Sequence, residues 1–193
     1  MKQAIILPVV LFCGLLTGFI IKSPGDKTAP AEPLCKFEGT YILQPDGPGA
    51  PFGLDMAIPL DARNERVAII HDLANYDATL GGLFPSAVRL TTGQGEGTRT
   101  GPRTFHYTIH FWALDRNNQR VALIISNGTK FFNERDCNSY EVPAGTLSVF
   151  DPTQDADNDG YPDPDQQPRY CLPLICKAKR ISAVTPCVLP GSL

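Results

Sequence analysis

The sequence predicts an all-β protein, in which an antiparallel β-sandwich of jelly-roll or Greek-key type precedes an irregular, disulfide-stapled C-terminal segment. Three observations lead to this class. Apolar segments between residues 35 and 150 are short and rich in β-branched and aromatic residues, with Gly, Pro, Asn and Asp between them, which is typical of strands and turns. No long segment has helical periodicity. The domain has about 115 residues, which suffices for one hydrophobic core but not for two.

The N-terminal segment predicts export from the cytoplasm. Residues 1–21 contain Lys2 and then an apolar stretch from residue 4 to residue 21. Its length fits both a cleaved signal peptide and an uncleaved membrane anchor, because signal cores run about 7–15 residues and a membrane span needs about 20. Cys13 and Gly14 add lipidation as a third outcome, although Phe12 stands where a lipoprotein motif requires a small residue. We expect a secreted, periplasmic or membrane-anchored cell-surface protein.

Residues 22–34 are polar and contain three prolines, which predicts an extended tether. The sandwich domain is then expected over residues 35–150. Continuous apolar runs at 67–70 and 121–125 indicate central strands, whereas the alternation in 104–112 indicates a strand that is exposed on one face. The predicted strands are 36–44, 54–60, 66–71, 87–92, 104–114, 120–126 and 146–150.

One stretch inside the domain is predicted to be a loop. Residues 93–101 contain four glycines. They lack the glycine order of nucleotide-binding loops and lie between two predicted strands. We therefore expect a mobile surface loop there.

An internal repeat supports the β-rich prediction. Residues 60–70 and 114–124 agree at seven of eleven positions, and each copy has an apolar stretch, a polar Asp/Asn turn, an arginine and a second apolar run. This order is typical of a β-hairpin. We expect two hairpins that face each other across the sandwich, with chance similarity between ordinary hairpins as the alternative.

The strongest chemical signal is an acidic segment at 155–165, which reads D-A-D-N-D-G-Y-P-D-P-D. Ca²⁺ takes six to eight oxygen ligands, and a tight turn supplies them from alternate residues, with glycine at the sixth position where the chain bends. Gly160 occupies that position. The alternative is a solvated acidic linker, which has no reason to keep this register. The predicted calcium ligands are Asp155, Asp157, Asp159, Tyr161 through its carbonyl, Asp163 and Asp165.

The string D-x-D-x-D-G-x-P-D resembles the calcium-binding repeats of the thrombospondin type 3 family. The resemblance covers residues 155–165 and implies an aspartate-rich segment that wraps around ions with little regular structure. Family repeats carry a further aspartate three positions after the one that Asp163 matches; here Gln166 stands there and Asp165 is displaced by one. Because the segment is rich in proline, it cannot continue as an EF-hand helix. We expect calcium to order residues 151–170, which lack an apolar core of their own.

The cysteines predict disulfides in an oxidising compartment. Five of them follow the export segment, which allows two bridges and one remaining thiol, with the connectivity open. Three lie in residues 171–193, which predicts a stapled C-terminal tail. A thiolate metal site is disfavoured because no C-x-x-C pair is present. The five are Cys35, Cys137, Cys171, Cys176 and Cys187.

Signs of catalysis are weak. No hydrolase, zinc-protease or cysteine-protease motif is present. His106 and His110 would share one face of a strand about 13 Å apart, too far for one ion, so we expect surface or aromatic-stacking residues. Acidic residues such as Asp55 and Glu141 are expected to be solvated unless a cleft joins them. A binding or structural role is therefore favoured over an enzyme.

The charge balance limits the partners. The chain has 17 basic and 20 acidic residues, a net charge of −3. This balance does not indicate a nucleic-acid-binding surface. We expect calcium and a glycan or protein at the cell surface, with membrane contact only through the N-terminal segment. The alternatives are an adhesive or glycan-binding protein that stacks sugars on Trp112 or Tyr107, a small extracytoplasmic hydrolase that uses carboxylates or His71, and a subunit of a surface assembly.

Overall fold

The computed structural model describes residues 34–181. The predicted export segment, most of the tether and Cys187 lie outside these residues. No helix in the described range is long and apolar enough to cross a membrane. The described elements are β1 (Gly39–Pro45), β2 (Gly53–Pro59), β3 (Arg66–Asp72), β4 (Arg89–Leu90), β5 (Gly93–Gly101), β6 (Thr104–Leu114), β7 (Arg120–Phe132), β8 (Ser139–Phe150), a short 3-10 helix (Pro152–Gln154) and β9 (Tyr170–Arg180).

Eight of these strands form a closed antiparallel β-barrel, so the predicted sandwich is wrong. The strands follow the order β6-β5-β3-β2-β1-β9-β8-β7, and β7 pairs back to β6 along its length. The short strand β4 extends the ladder at the end of β6. A sandwich needs two separate sheets, whereas here the ladder continues around the whole circumference.

Two strands that the sequence did not predict explain the closure. Strand β5 joins β3 to β6, and β9 joins β1 to β8. Without them, the two remaining groups, β1-β2-β3 and β6-β7-β8, would be the two sheets of a sandwich. The alternation of apolar and polar residues is the same in a barrel and a sandwich, so it does not distinguish them.

Strand β5 is the glycine-rich stretch that was predicted to be a loop. Three of its inward positions are Gly93, Gly95 and Gly97, where the barrel wall leaves no room for a side chain. A Cβ atom on Gly95 would lie 2.6 Å from the Cα atom of Ile109 on β6, and one on Gly97 would lie 2.9 Å from a methyl group of Val67. Glycine here allows a close backbone approach, and it removes the apolar alternation that would have indicated a strand.

Strand β9 comes from residues that were predicted to be a stapled tail. It pairs with β1 on one side and β8 on the other, and Leu174, Cys176 and Ala178 point into the core. Cys171 lies exposed on the opposite face of this strand from Cys176. The two thiols therefore do not bond to each other.

The two copies of the internal repeat are β-hairpins, as predicted, but they lie in one closed sheet. One joins β2 to β3 and the other joins β6 to β7. In the first turn Asp61 accepts backbone hydrogen bonds from three following residues, and in the second Asp115 accepts two. Asn64 and Asn118 adopt positive φ at the same position of each turn, which asparagine tolerates.

The barrel interior is filled by side chains. At one end Phe37 packs edge-on against Phe105 and Phe132, with ring centroids 5.4 and 5.5 Å apart. A disulfide between Cys35 and Cys137 closes this end and links residues 102 positions apart in sequence. This bridge confirms that the chain forms a disulfide, which is the chemistry of an oxidising compartment.

Candidate functional sites

The acidic loop connects β8 to β9 and begins with the short 3-10 helix. Asp151 caps this helix: its carboxylate accepts a hydrogen bond from the Thr153 amide at 3.0 Å, and the Gln154 side chain accepts one from the Asp151 amide at 2.7 Å. The backbone hydrogen bond from Thr153 lowers the pKa of Asp151. The cap ends strand β8 and turns the chain into the aspartate series.

Three of the predicted ligands converge in this loop. Asp155, Asp157 and Asp159 each offer one carboxylate oxygen, and these three oxygens lie within 4.8 Å of one another. Asp155 is buried, with 2% of its surface exposed. Its Oδ2 accepts a hydrogen bond from the Gly160 amide at 3.2 Å, while its Oδ1 has no hydrogen-bond partner among residues 34–181. A buried oxygen without a partner is costly, and a hard cation would satisfy it. The residues therefore fit a calcium ion.

The other predicted ligands lie outside this three-carboxylate cluster. Asp163 stays attached to the loop because its Oδ2 accepts a hydrogen bond from the Ala156 amide at 3.2 Å. Asp165 is exposed and has a φ of 68°. The ring of Tyr161 packs at a tilt against the ring of His110, with centroids 4.7 Å apart and an interplanar angle of 55°.

The loop is docked against the outer wall of the barrel. Arg120, the first residue of β7, donates a hydrogen bond to the side chain of Asn158 at 2.9 Å, and its Nη1 lies 3.9 Å from Asp155 Oδ2. Its guanidinium lies over the ring of Trp112, 4.2 Å from the centroid. Gly160 has a φ of +90°, and a Cβ atom placed on it would lie 3.5 Å from the ring of His110. A turn that only glycine adopts easily therefore lies beside the barrel wall.

The histidine and aromatic predictions have mixed outcomes. His110 contacts an aromatic ring, as expected, although the two rings are tilted by 55° rather than stacked, and His106 is exposed on the same strand. Trp112 and Tyr107 are only 9% and 1% exposed. Arg120 covers Trp112, and Tyr107 lies inside the barrel, so these two residues do not form an exposed face for stacking sugars.

A second polar site, which the sequence did not indicate, lies inside the barrel. Asp55 on β2 and Lys130 on β7 are completely buried, and Lys130 Nζ donates a hydrogen bond to Asp55 Oδ2. The hydroxyl of Tyr140 donates a hydrogen bond to the same oxygen. His71 Nε2 lies 3.8 Å from Asp55 Oδ1. Neither of these two atoms has a hydrogen-bond partner within the described chain.

Aromatic rings surround the lysine amine. Lys130 Nζ lies 4.4 Å from the ring centroid of Phe37, 4.7 Å from that of Tyr107 and 5.0 Å from that of Tyr140. Burial lowers the pKa of Lys130 and lowers that of His71 to about 4. Burial alone would raise the pKa of Asp55, but the neighbouring Lys130 and His71 outweigh it, so the net direction is downward.

The expectation that Asp55 is solvated is wrong. Strand β2 turns Asp55 and Ala57 inward, whereas Leu54, Met56 and Ile58 are 38%, 40% and 46% exposed. Alternation alone predicts the opposite orientation, because the larger apolar side chains normally face the core. The sequence does contain a sign that Lys130, the partner of Asp55, is buried. Lys130 takes an inward position in β7, in the alternating series that contains Ser126, Gly128 and Phe132.

Comparison with known proteins gave no relatives. No protein-family model, curated protein or solved structure matches the chain. The functional conclusions therefore depend on the geometry of the acidic loop and of the buried site.

Proposed function

We propose that this is an exported β-barrel protein with a structural or binding role outside the cytoplasm, in which Ca²⁺ orders the loop at residues 151–170. The observation that supports the loop's role most strongly is the buried carboxylate of Asp155. Asp155 belongs to a cluster of three carboxylates. Its Oδ1 has no hydrogen-bond partner in residues 34–181, and its one cationic neighbour there, Arg120, lies 3.9 Å from the other oxygen. A divalent cation supplies the missing partner for Oδ1, and it adds positive charge where one arginine faces three carboxylates.

The loop's sequence provides enough oxygen ligands for calcium. The oxygens of Asp155, Asp157 and Asp159 would form one side of the shell. The Tyr161 carbonyl and Asp163 follow at the next positions of the series, with Asp165 or water completing the six to eight ligands that Ca²⁺ takes. Four of the five aspartates are not fully buried, so their side chains have room to turn toward an ion.

The ion has an architectural role in this proposal. The loop contacts the barrel mainly through polar and aromatic groups, namely Arg120, Asn158, Tyr161 and His110. It has no apolar core, so the free energy of ion binding would supply the ordering that burial cannot. Because the loop connects β8 to β9, ordering it also fixes the position at which β9 begins.

A location outside the cytoplasm fits this role. The Cys35–Cys137 disulfide is typical of exported proteins, and the N-terminal 21 residues have the pattern of an export signal. Extracellular calcium modules bind with Kd of about 10⁻⁴–10⁻³ M. A site with exposed Asp157 and Asp159 is expected in this weak range.

Isothermal titration of Ca²⁺ into the full chain tests the proposal. We expect one site with a Kd of about 10⁻⁴–10⁻³ M. Asp155→Asn should weaken binding at least tenfold, because it removes the buried charged ligand while keeping the side-chain shape. Asp46→Asn, at an exposed position on the barrel, is the matched control and should bind like the natural protein. No heat of binding at millimolar calcium would refute the proposal.

A further inference from the structure

The buried contact between Asp55 and Lys130 points to a covalent cross-link. Asp55 lies on β2 and Lys130 on β7, which are on opposite sides of the barrel in the strand order. Their side chains meet across the interior, 75 positions apart in sequence, with carboxylate and amine in direct hydrogen-bond contact. Both side chains are at most 1% exposed.

We infer that Asp55 and Lys130 condense spontaneously to form an isopeptide bond inside the barrel. One ammonium proton first moves to Asp55 through the existing hydrogen bond, which leaves a neutral amine and a neutral carboxylic acid. The Lys130 nitrogen then attacks Cγ of Asp55, so an N–C bond forms and one C–O bond breaks. The ammonium gives up two protons and the carboxylate one oxygen, and these leave together as one water molecule. No oxidant, reductant or cofactor takes part.

The surroundings favour the neutral amide over the ion pair. In water the two charges are well solvated, but in a dry interior both lose that solvation. An ammonium has three N–H donors, and Asp55 is the one hydrogen-bond acceptor that residues 34–181 offer to Lys130. The surrounding rings of Phe37, Tyr107 and Tyr140 exclude solvent; they offer the ammonium cation–π contacts but no further hydrogen-bond acceptor. Amide formation removes both charges and leaves one N–H donor.

Neighbouring polar groups are placed to assist the reaction. The Tyr140 hydroxyl donates a hydrogen bond to Asp55 Oδ2 and would stabilise negative charge on that oxygen when nitrogen attacks. His71 Nε2 lies 3.8 Å from Oδ1 with both ring nitrogens unpaired in the described structure, so the neutral imidazole can donate a hydrogen bond to the departing oxygen. A cavity of about 20 Å³ borders His71 and Lys130, which is room for one water molecule.

The orientation of β2 gives an independent reason to assign a function to this pair. A shift of one residue would bury Leu54, Met56 and Ile58 and expose Asp55. The chain instead leaves those three apolar side chains 38–46% exposed and places the acid opposite Lys130. A buried ion pair is seldom more stabilising than apolar side chains in its place, whereas a covalent bond across the barrel accounts for this orientation.

Peptide mass spectrometry of the folded full chain tests the inference, after reduction and alkylation of the disulfide. We expect a branched peptide that contains Asp55 and Lys130 and is lighter by one water than its two parts. Asp55→Asn should form the identical branched product by releasing ammonia instead. Lys130→Arg should give only linear peptides, and Tyr140→Phe should slow the appearance of the branched product about 100-fold.

The chain contains its own matched control. Lys177 Nζ and Asp46 Oδ1 also lie in contact, at 2.7 Å, but their side chains are 54% and 48% exposed. Because solvent stabilises their charges, this pair should remain unlinked. Only linear peptides from folded natural protein would overturn the inference, and so would water loss confined to a linear Asp55 peptide. The result does not depend on calcium, so the loop proposal stands or falls separately.

Discussion

Removing calcium is expected to make residues 151–170 sensitive to proteases while the barrel stays folded. The loop's side-chain contacts with the barrel are few. Arg120 donates a hydrogen bond to Asn158 and lies 3.9 Å from the buried Asp155, and the ring of Tyr161 packs at a tilt against that of His110. Without the ion, Asp155 Oδ1 has no partner among the described residues and three carboxylates repel one another. The free loop should therefore open often.

The size of the effect follows from mass action. At a calcium concentration about 100 times Kd, binding stabilises the closed loop by about 2.7 kcal/mol, which lowers the open population about 100-fold. For a Kd of about 10⁻⁴ M this requires about 10 mM calcium. Cleavage tracks the open population when opening is fast, so the rate of cleavage should rise about 100-fold when a chelator is added.

Limited proteolysis, followed on denaturing and native gels, measures this change. Chelator should produce two fragments that separate on a denaturing gel but remain together on a native gel, because β9 stays paired with β1 and β8. Asp155→Asn should be cleaved rapidly with or without calcium, and the exposed-site control Asp46→Asn should behave like the natural protein. Equal cleavage rates in calcium and in chelator would refute the reasoning.

Three further predictions concern the barrel. Gly95→Ala should destabilise it by about 1–3 kcal/mol in chemical denaturation because the added methyl meets the β6 backbone; Thr98→Ala, outward on the same strand, should change little, and equal effects would contradict the close approach. Burial lowers the pKa of His71 to about 4, so as the pH falls the unfolded chain binds a proton at His71 before the folded chain does. The free energy of unfolding should therefore fall by about 2 kcal/mol from pH 7 to about pH 5. His71→Gln should remove that part of the pH dependence, and an unchanged slope would show that His71 is not its source. Cys35→Ser should cost about 2–5 kcal/mol because the lost bridge closes a loop of 102 positions; an unchanged denaturation midpoint under non-reducing conditions would exclude a stabilising role for it.

Local features were predictable from the sequence because short-range chemistry determines them. The hairpin turns at Asp61 and Asp115 have side chains that cap their own backbone amides, and this pattern is visible in the letters. The aspartate register of the loop is local in the same way, and it brought Asp155, Asp157 and Asp159 together.

Features that depend on distant partners were not predictable. Strand β5 is recognisable only beside β6, since its inward glycines matter where two backbones approach closely. The orientation of β2 depends on Lys130, which lies 75 positions away and on the other side of the barrel. A prediction from alternation alone therefore placed Asp55 in solvent and missed the polar site. Because β5 and β9 were not predicted, the remaining strands were assigned to a sandwich instead of a barrel.

A crystal structure determined in millimolar calcium, with anomalous data to identify the ion, tests the central claim most directly. We predict a calcium peak about 2.3–2.6 Å from Asp155 Oδ1 and from one oxygen each of Asp157 and Asp159. Density for an ordered loop with only water beside Asp155, or no density for the loop at all, would contradict the claim.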